Sequence, residues 1–203
     1  MTEPGTSDQP GRIIVISGPS GSGKTTVCNR LLEDPNVRLS VSATTRTPRP
    51  GERDGVNYHF LTRTEFARRV QQGVFAEHAE YNGNLYGTPR AELDAARTDG
   101  QAVLVEIDVQ GAAQLRRRYP HAIYIFLDAP ADAVAERLER RNTETPDERR
   151  HRLDAAQRER AAGQELFDVT VINDDLDQAV QQIRSLIRDG KPGPRTACGG
   201  RTQ

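Results

Sequence analysis

Residues 18–25, Gly18-Pro19-Ser20-Gly21-Ser22-Gly23-Lys24-Thr25, match the spacing G-x-x-x-x-G-K-[ST], whose chemistry is phosphate binding. Its glycines let successive backbone N–H groups converge on one anion, and a helix opening here adds the partial positive charge of its N-terminus. Lys24 would span the β and γ phosphates of a nucleoside triphosphate, and the Thr25 hydroxyl would ligate magnesium. Thr26 continues the same site into the first helical turn. The 28 basic residues are 26 arginines and two lysines, Lys24 and Lys191, and Lys191 lies in a Gly/Pro-rich stretch near the end of the chain. A chain so committed to arginine keeps lysine at 24 because that position needs a compact ammonium. The bland alternative is a glycine-rich turn that binds nothing.

A second anion-binding set lies in VSATTRTPRPGERDGVNYHF, residues 41–60. Ser42, Arg46 and Arg49 could together grip one phosphate dianion, since guanidinium groups match phosphate oxygens in a fork and a hydroxyl adds a short hydrogen bond. Tyr58 could close the same oxygens. The same residues also suit an ordinary surface hairpin with solvated arginines. Farther on, VFAEHAEYNGNLYGTPRAEL puts Glu77, Tyr86 and Thr88 on neighbouring strands. One carboxylate can accept both parallel donors of a guanine, N1–H and the 2-amino group, whereas adenine offers neither on that edge. His59, His78, His121 and His151 are scattered without metal-ligand spacing or a partner acid, so no zinc or nucleophile site is expected.

The elements that must carry these groups alternate. RIIVISG, AVLVEID, AIYIFLDAP and VTVIND read as buried strands, and each is followed by a helical pattern: KTTVCNRLLED, VQGAAQLRRRYP, ADAVAERLERR and LDQAVQQIRSLIRD. Strands apolar throughout and alternating with helices predict an α/β fold, a parallel sheet covered on both faces. Residues 41–90 break this rhythm. NYHFLT and FAEHAEYNGNLYGT read as antiparallel strands with Asn82-Gly83 as the hairpin turn, and Thr64 is placed to cap a helix over EFARRVQQG. This stretch is expected to form an inserted β-rich lobe. A second insertion is expected over 137–165, where Thr145, Pro146 and Glu148 supply a strong helix start. The expected organisation is therefore a core of 12–40, 91–136 and 166–189, a lobe of 41–90 and a lid of 137–165, with disordered tails at 1–11 and 190–203.

At 203 residues with a net charge of −1, the chain is long enough for one core and has no global positive field, so a nucleic-acid partner is not expected. There is neither a signal-peptide core nor an apolar run approaching the ~20 residues of a membrane span, and no membrane partner is expected. Cys28 and Cys198 are far apart, with Cys198 in a tail, which fits a reducing compartment and a cytoplasmic, soluble protein. A GTPase would carry an Asn-Lys-x-Asp guanine reader, and with lysine only at 24 and 191 that motif is impossible. A small-molecule kinase remains, with its acceptor held in line with the γ-phosphate. Oligomeric state is not legible.

The series TTR-x-x-R, Y-x-F, Glu77, NLYGT and EIDVQGA closely resembles guanylate kinase, a P-loop kinase family, from Gly18 through VINDDLD at 171–177. The resemblance implies a three-layer P-loop kinase core and transfer of the ATP γ-phosphoryl to GMP, with deoxy-GMP also accepted, in purine nucleotide metabolism. It implies that Ser42, Arg46, Arg49, Tyr58 and Tyr86 hold the GMP phosphate, and that Glu77, Thr88 and Asp108 read the guanine. Glu106 resembles the acid that orders Mg2+ through water, although a polar strand end would look the same. Residues 18–26 would bind ATP, with Asn173 either on the adenine side or capping a strand end. Arg141 and Arg152 resemble catalytic lid arginines, and Arg137 does so more weakly. Eight arginines and seven acids between 136 and 160 also suit a solvated, salt-bridged helical surface. Two rivals keep parts of this pattern. A non-catalytic binding module of the same fold would have lost phosphate-loop or acceptor chemistry, and a kinase acting on a phosphorylated sugar would need no guanine reader.

Overall fold

A computed structural model of the chain describes residues 12–81, 83–130, 160 and 166–190. The described elements are β1 (Ile13–Ser17), α1 (Lys24–Leu31), β2 (Val37–Leu39), β3 (Ala43–Thr44), β4 (His59–Phe60), α2 (Arg63–Gln71) and β5 (Phe75–Tyr81). They continue as β6 (Asn84–Pro89), α3 (Arg90–Asp99), β7 (Ala102–Glu106), α4 (Val109–Arg118), β8 (Ile123–Asp128), β9 (Val169–Ile172) and α5 (Leu176–Asp189).

The four predicted apolar runs pair as β7-β1-β8-β9, β2 adds at the edge beside β7, and every pairing in that sheet is parallel. Alternate side chains of one strand serve opposite layers, which is why both faces of each run must be apolar. Ile14, Ile16, Leu104, Ile125 and Leu127 pack beneath α1 and α5, against Val27, Leu31, Val180 and Ile183. Their neighbours Val15, Val103, Val105, Tyr124 and Phe126 fill the other layer with Leu115 of α4 and Leu93 of α3. Asp175 accepts from the Gln178 N–H at the start of α5, and Gly190 ends that helix at φ +66°.

A second sheet, β4-β3-β6-β5, is formed by chain lying between β2 and β7. Phe66 of α2 stacks on Phe75 of β5 with ring centroids 4.6 Å apart, a contact worth about 1 kcal/mol beyond its burial. Both rings press on the space where a Gly87 side chain would be, 3.0–3.1 Å from its ideal Cβ. The edge of β5 is covered by α4. Gln114 donates to the His78 carbonyl at 2.8 Å and accepts from the His78 N–H at 3.4 Å, and Arg118 donates to the Phe75 carbonyl at 3.2 Å.

Four local expectations change. β4 is parallel to β3, not antiparallel, because residues 45–58 form a crossover loop that returns the chain to the start of β3. Thr62, not Thr64, caps α2: it is Thr62 that has an acid three residues on, and it accepts from the Glu65 N–H at 3.1 Å. The parallel sheet has a fifth strand, β2, whose three residues are too few to show a period. Helix α3, which ends on Gly100 at φ +72°, is not among the elements expected from the sequence. The β5–β6 turn spans two residues as expected, since Tyr81 pairs with Asn84 and Gly83 sits at φ +72°. Asn82 lies outside the described residues, as do Thr145, Pro146 and Glu148 of the expected lid, helix ADAVAERLERR, and residues 1–11 and 191–203.

Candidate active site

The phosphate loop joins β1 to α1, and its shape is set by three left-handed or strained glycines. Gly18 (φ +151°) passes so close to β8 that an added Cβ would meet the Leu127 carbonyl oxygen at 2.0 Å. Gly21 (φ +85°) and Gly23 (φ +89°) turn the chain into the helix. Lys24 folds back over this loop and donates to the carbonyls of Gly18 at 2.6 Å and Pro19 at 3.1 Å. The Thr25 hydroxyl donates to Glu106 at 3.0 Å, which joins the end of β7 to the first turn of α1. Ser20 lies at the cavity and Thr26 is exposed on the helix.

Asn173, 2% exposed, donates its side-chain amide to the Ser22 carbonyl at 2.7 Å, while its N–H goes to the Asp128 carbonyl. It is thus bonded to the loop itself. Arg160 forks onto the Asp128 carboxylate at 2.9–3.0 Å and reaches the Ala129 carbonyl, so it too holds the strand end beside the loop. Cys28 is buried beneath this region, and burial, aided by Glu106, pushes its thiol well above the usual range.

Across from the loop, one cavity of about 240 Å³ is lined by Gly18, Ser20 and Lys24 on one side and by Ser42, Tyr58, Glu77, Tyr86 and Asp108 on the other. Glu106 sits between them. Glu77 is 4% exposed and accepts from the Thr88 hydroxyl at 2.6 Å. Burial pushes its carboxyl up to about 7, with the nearby Asp108 charge adding to the rise and the Thr88 hydrogen bonds opposing it. Asp108 caps α4 by accepting from the Gly111 N–H at 2.7 Å. A Cβ on Gly111 would meet Glu77 Oε2 at 2.6 Å and Asp108 Oδ1 at 3.4 Å, so glycine leaves both carboxylates room to converge.

The hydroxyl pair Tyr58 and Tyr86 meet edge to face, centroids 6.1 Å apart, and burial pushes the Tyr58 hydroxyl up to about 12. Arg46 stands behind this wall. Its guanidinium lies 5.4 Å from the Tyr58 ring and 5.8 Å from the Phe60 ring, and is forked onto Glu52. Arg49 is exposed on the turn that follows. Sequence reasoning missed Glu52, Gly111 and Tyr81, the last a cavity-lining residue on the face of β5 that carries Glu77. The signal for Glu52 was an acid three residues past Arg49; Gly111 stood in the quoted EIDVQGA. Arg137, Arg141 and Arg152 lie outside the described residues.

Fold and cavity together define a phosphoryl-transfer enzyme of the P-loop kinase class. A family model described as guanylate kinase matches residues 10–190, and the chain belongs to that family. It is 47% identical over 180 residues to a guanylate kinase of Rubrobacter xylanophilus, covering 88% of this chain and 94% of that one. A guanylate kinase of Desulfitobacterium hafniense is 43% identical over 179 residues, covering 87% of this chain and 89% of that one. The crystal structure of guanylate kinase from Anaplasma phagocytophilum superposes with a TM-score of 0.74 at 34% identity, covering 89% of this chain and 86% of that one. No described helix is long and apolar enough to cross a membrane.

Proposed function

We propose that the two walls of the shared cavity hold ATP and GMP for direct transfer between them. The protein is an ATP:GMP phosphotransferase, as its family membership states. What supports the division of labour is that a single cavity is lined by both Lys24 and Glu77. On the donor side, residues 18–26 cradle the ATP phosphates with backbone N–H groups, and Lys24 holds the β and γ oxygens. Asn173 serves that side by keeping the Ser22 carbonyl in place, a role supported by their 2.7 Å bond.

On the acceptor side, Ser42, Arg46, Arg49, Tyr58 and Tyr86 receive the GMP phosphate. Glu77 accepts the guanine N1–H and 2-amino donors, with Thr88 and Asp108 completing the base site. The Thr25 hydroxyl and Glu106 carboxylate, 3.0 Å apart at the cavity, are hard oxygen donors that fit Mg2+, Glu106 through water. Bound with ATP, the ion would supply charge neutralisation at the β and γ phosphates. No general base is required, because the attacking GMP phosphate is already ionised near neutral pH. Two anions must meet, and Lys24 together with Arg141 and Arg152 offsets their repulsion most where charge spreads over the transferred group. Deoxy-GMP as a second acceptor, a place in purine nucleotide metabolism and a cytoplasmic location, where ATP and nucleoside monophosphates are held, complete the proposal.

The carboxyl of Glu77 sets a pH dependence. Its folded-state pKa is raised above the ordinary carboxylate value, so its protonated form favours folding at low pH, and this contribution is lost as pH rises through about 7. Guanine needs the ionised form. Guanosine, which has no phosphate to titrate, should therefore bind about tenfold more weakly for each pH unit below 7. Calorimetric titrations between about pH 5.5 and 8 check this, and a flat profile would remove Glu77 from the base site.

The whole proposal is tested by ADP formation from Mg-ATP with GMP, deoxy-GMP, AMP, UMP, a ribose phosphate or no acceptor. Turnover confined to GMP and its deoxy form is expected. GMP binding without turnover would instead identify a binding module.

A further inference from the structure

We infer that Glu52 is a positioning residue for the acceptor phosphate, setting the attitude of Arg46 and of the turn that carries Arg49. The inference rests on the reading above, in which Arg46 serves the GMP phosphate. Glu52 Oε1 accepts from Arg46 Nη2 and Oε2 from Arg46 Nη1, both at 2.9 Å. Oε2 also accepts from the Arg49 N–H at 2.7 Å, while the Glu52 N–H returns to the Arg49 carbonyl at 3.0 Å. One carboxylate therefore closes the turn between the two arginines and fixes the guanidinium of the first. The Thr47 carbonyl takes a further N–H of Arg46 at 2.9 Å.

This is more than a surface ion pair. The Arg46 and Glu52 side chains are only 15% and 19% exposed, and the fork is bidentate. Glu52 is the largest cause of the raised Arg46 pKa, and Arg46 in turn is the largest cause of the lowered Glu52 pKa. The pair sits directly behind Tyr58, which lines the cavity. Because the charges of Glu52 and Arg46 offset each other, what Glu52 adds at the phosphate is orientation: it holds a long, rotamer-rich side chain in one pose before substrate arrives.

The test compares Glu52→Gln, Arg46→Ala and the double variant, measuring the GMP KM, kcat and guanosine affinity. Glu52→Gln keeps the shape but weakens the charged fork, and should raise the GMP KM roughly tenfold with kcat and guanosine affinity little changed. In the Arg46→Ala background the same substitution should have a much smaller effect, because the two act as one unit. A merely structural role would lower guanosine affinity along with GMP affinity. Should Glu52→Gln not fold, Glu52→Asp keeps the charge but is too short for all three contacts, and should show the same split.

An unchanged GMP KM in Glu52→Gln overturns the inference, and so does a lower one, which would mean that the carboxylate competes with the substrate phosphate. If Arg46→Ala raises the GMP KM while Glu52→Gln does not, only the positioning role falls. If Arg46→Ala leaves the GMP KM unchanged, the Arg46 assignment fails, and the role of Glu52 with it.

Discussion

Lys24→Ala is expected to lower kcat by about a thousandfold or more while leaving GMP affinity within a few-fold of the unsubstituted protein. The ammonium is held at the mouth of the phosphate loop by the Gly18 and Pro19 carbonyls, at 2.6 and 3.1 Å. Those oxygens are neutral acceptors, and under the proposed function charged phosphate oxygens would replace them at higher electrostatic gain. Nothing else among the described residues lining the cavity carries a positive charge. Removing Lys24 leaves the backbone cradle and the acceptor wall in place, so the loss should fall on the step in which charge redistributes. Steady-state kinetics with calorimetric GMP titration separate the two effects. An equal loss of turnover and GMP affinity would mean that the substitution had disturbed the cavity as a whole.

Glu77→Gln should weaken GMP binding by roughly two orders of magnitude and erode the preference for GMP over AMP. The amide offers one carbonyl acceptor in place of two carboxylate oxygens, and it turns an N–H toward a base edge that presents only donors. The Thr88 hydroxyl, which now donates to Glu77 at 2.6 Å, loses its charged partner as well. The folded protein should nevertheless tolerate the change well above neutral pH, because a buried carboxylate whose pKa stands at about 7 is ionised there against the pull of its surroundings. Competition binding of GMP and AMP to both proteins is the check. An unchanged GMP-to-AMP ratio would take the carboxylate out of base recognition.

The phosphate loop was legible because its conformation demands glycines at fixed offsets, and demands of that kind are written in residue types. The parallel sheet was legible for a similar reason: a strand covered on both faces has no polar register. Glu77 and Thr88 could be placed together because a two-residue turn sets the pairing of β5 with β6, and they are directly opposed in that pairing. The direction of β4 depends instead on how a loop crosses in space, and two residues hold no record of that. Arg46 showed its chemistry in the sequence but not its partner, since Glu52 could as well have faced water. The role of Gly111 emerges only where two elements meet, because the Cβ it lacks would collide with a side chain on another strand.

That meeting has a consequence for how acceptor preference can change. Glu77 comes from the second sheet and Asp108 from the cap of α4, and Gln114 and Arg118 of the same helix fasten it along β5. The pair proposed to read the base is thus a joint between two parts of the chain, machined to a tolerance of one methyl group. A substitution that reshapes one side of the joint would press on the other, so a new base there would call for matched changes in both. On that proposal, drift toward another nucleotide would be obstructed mechanically as well as chemically, with the seam between helix and strand as the brake.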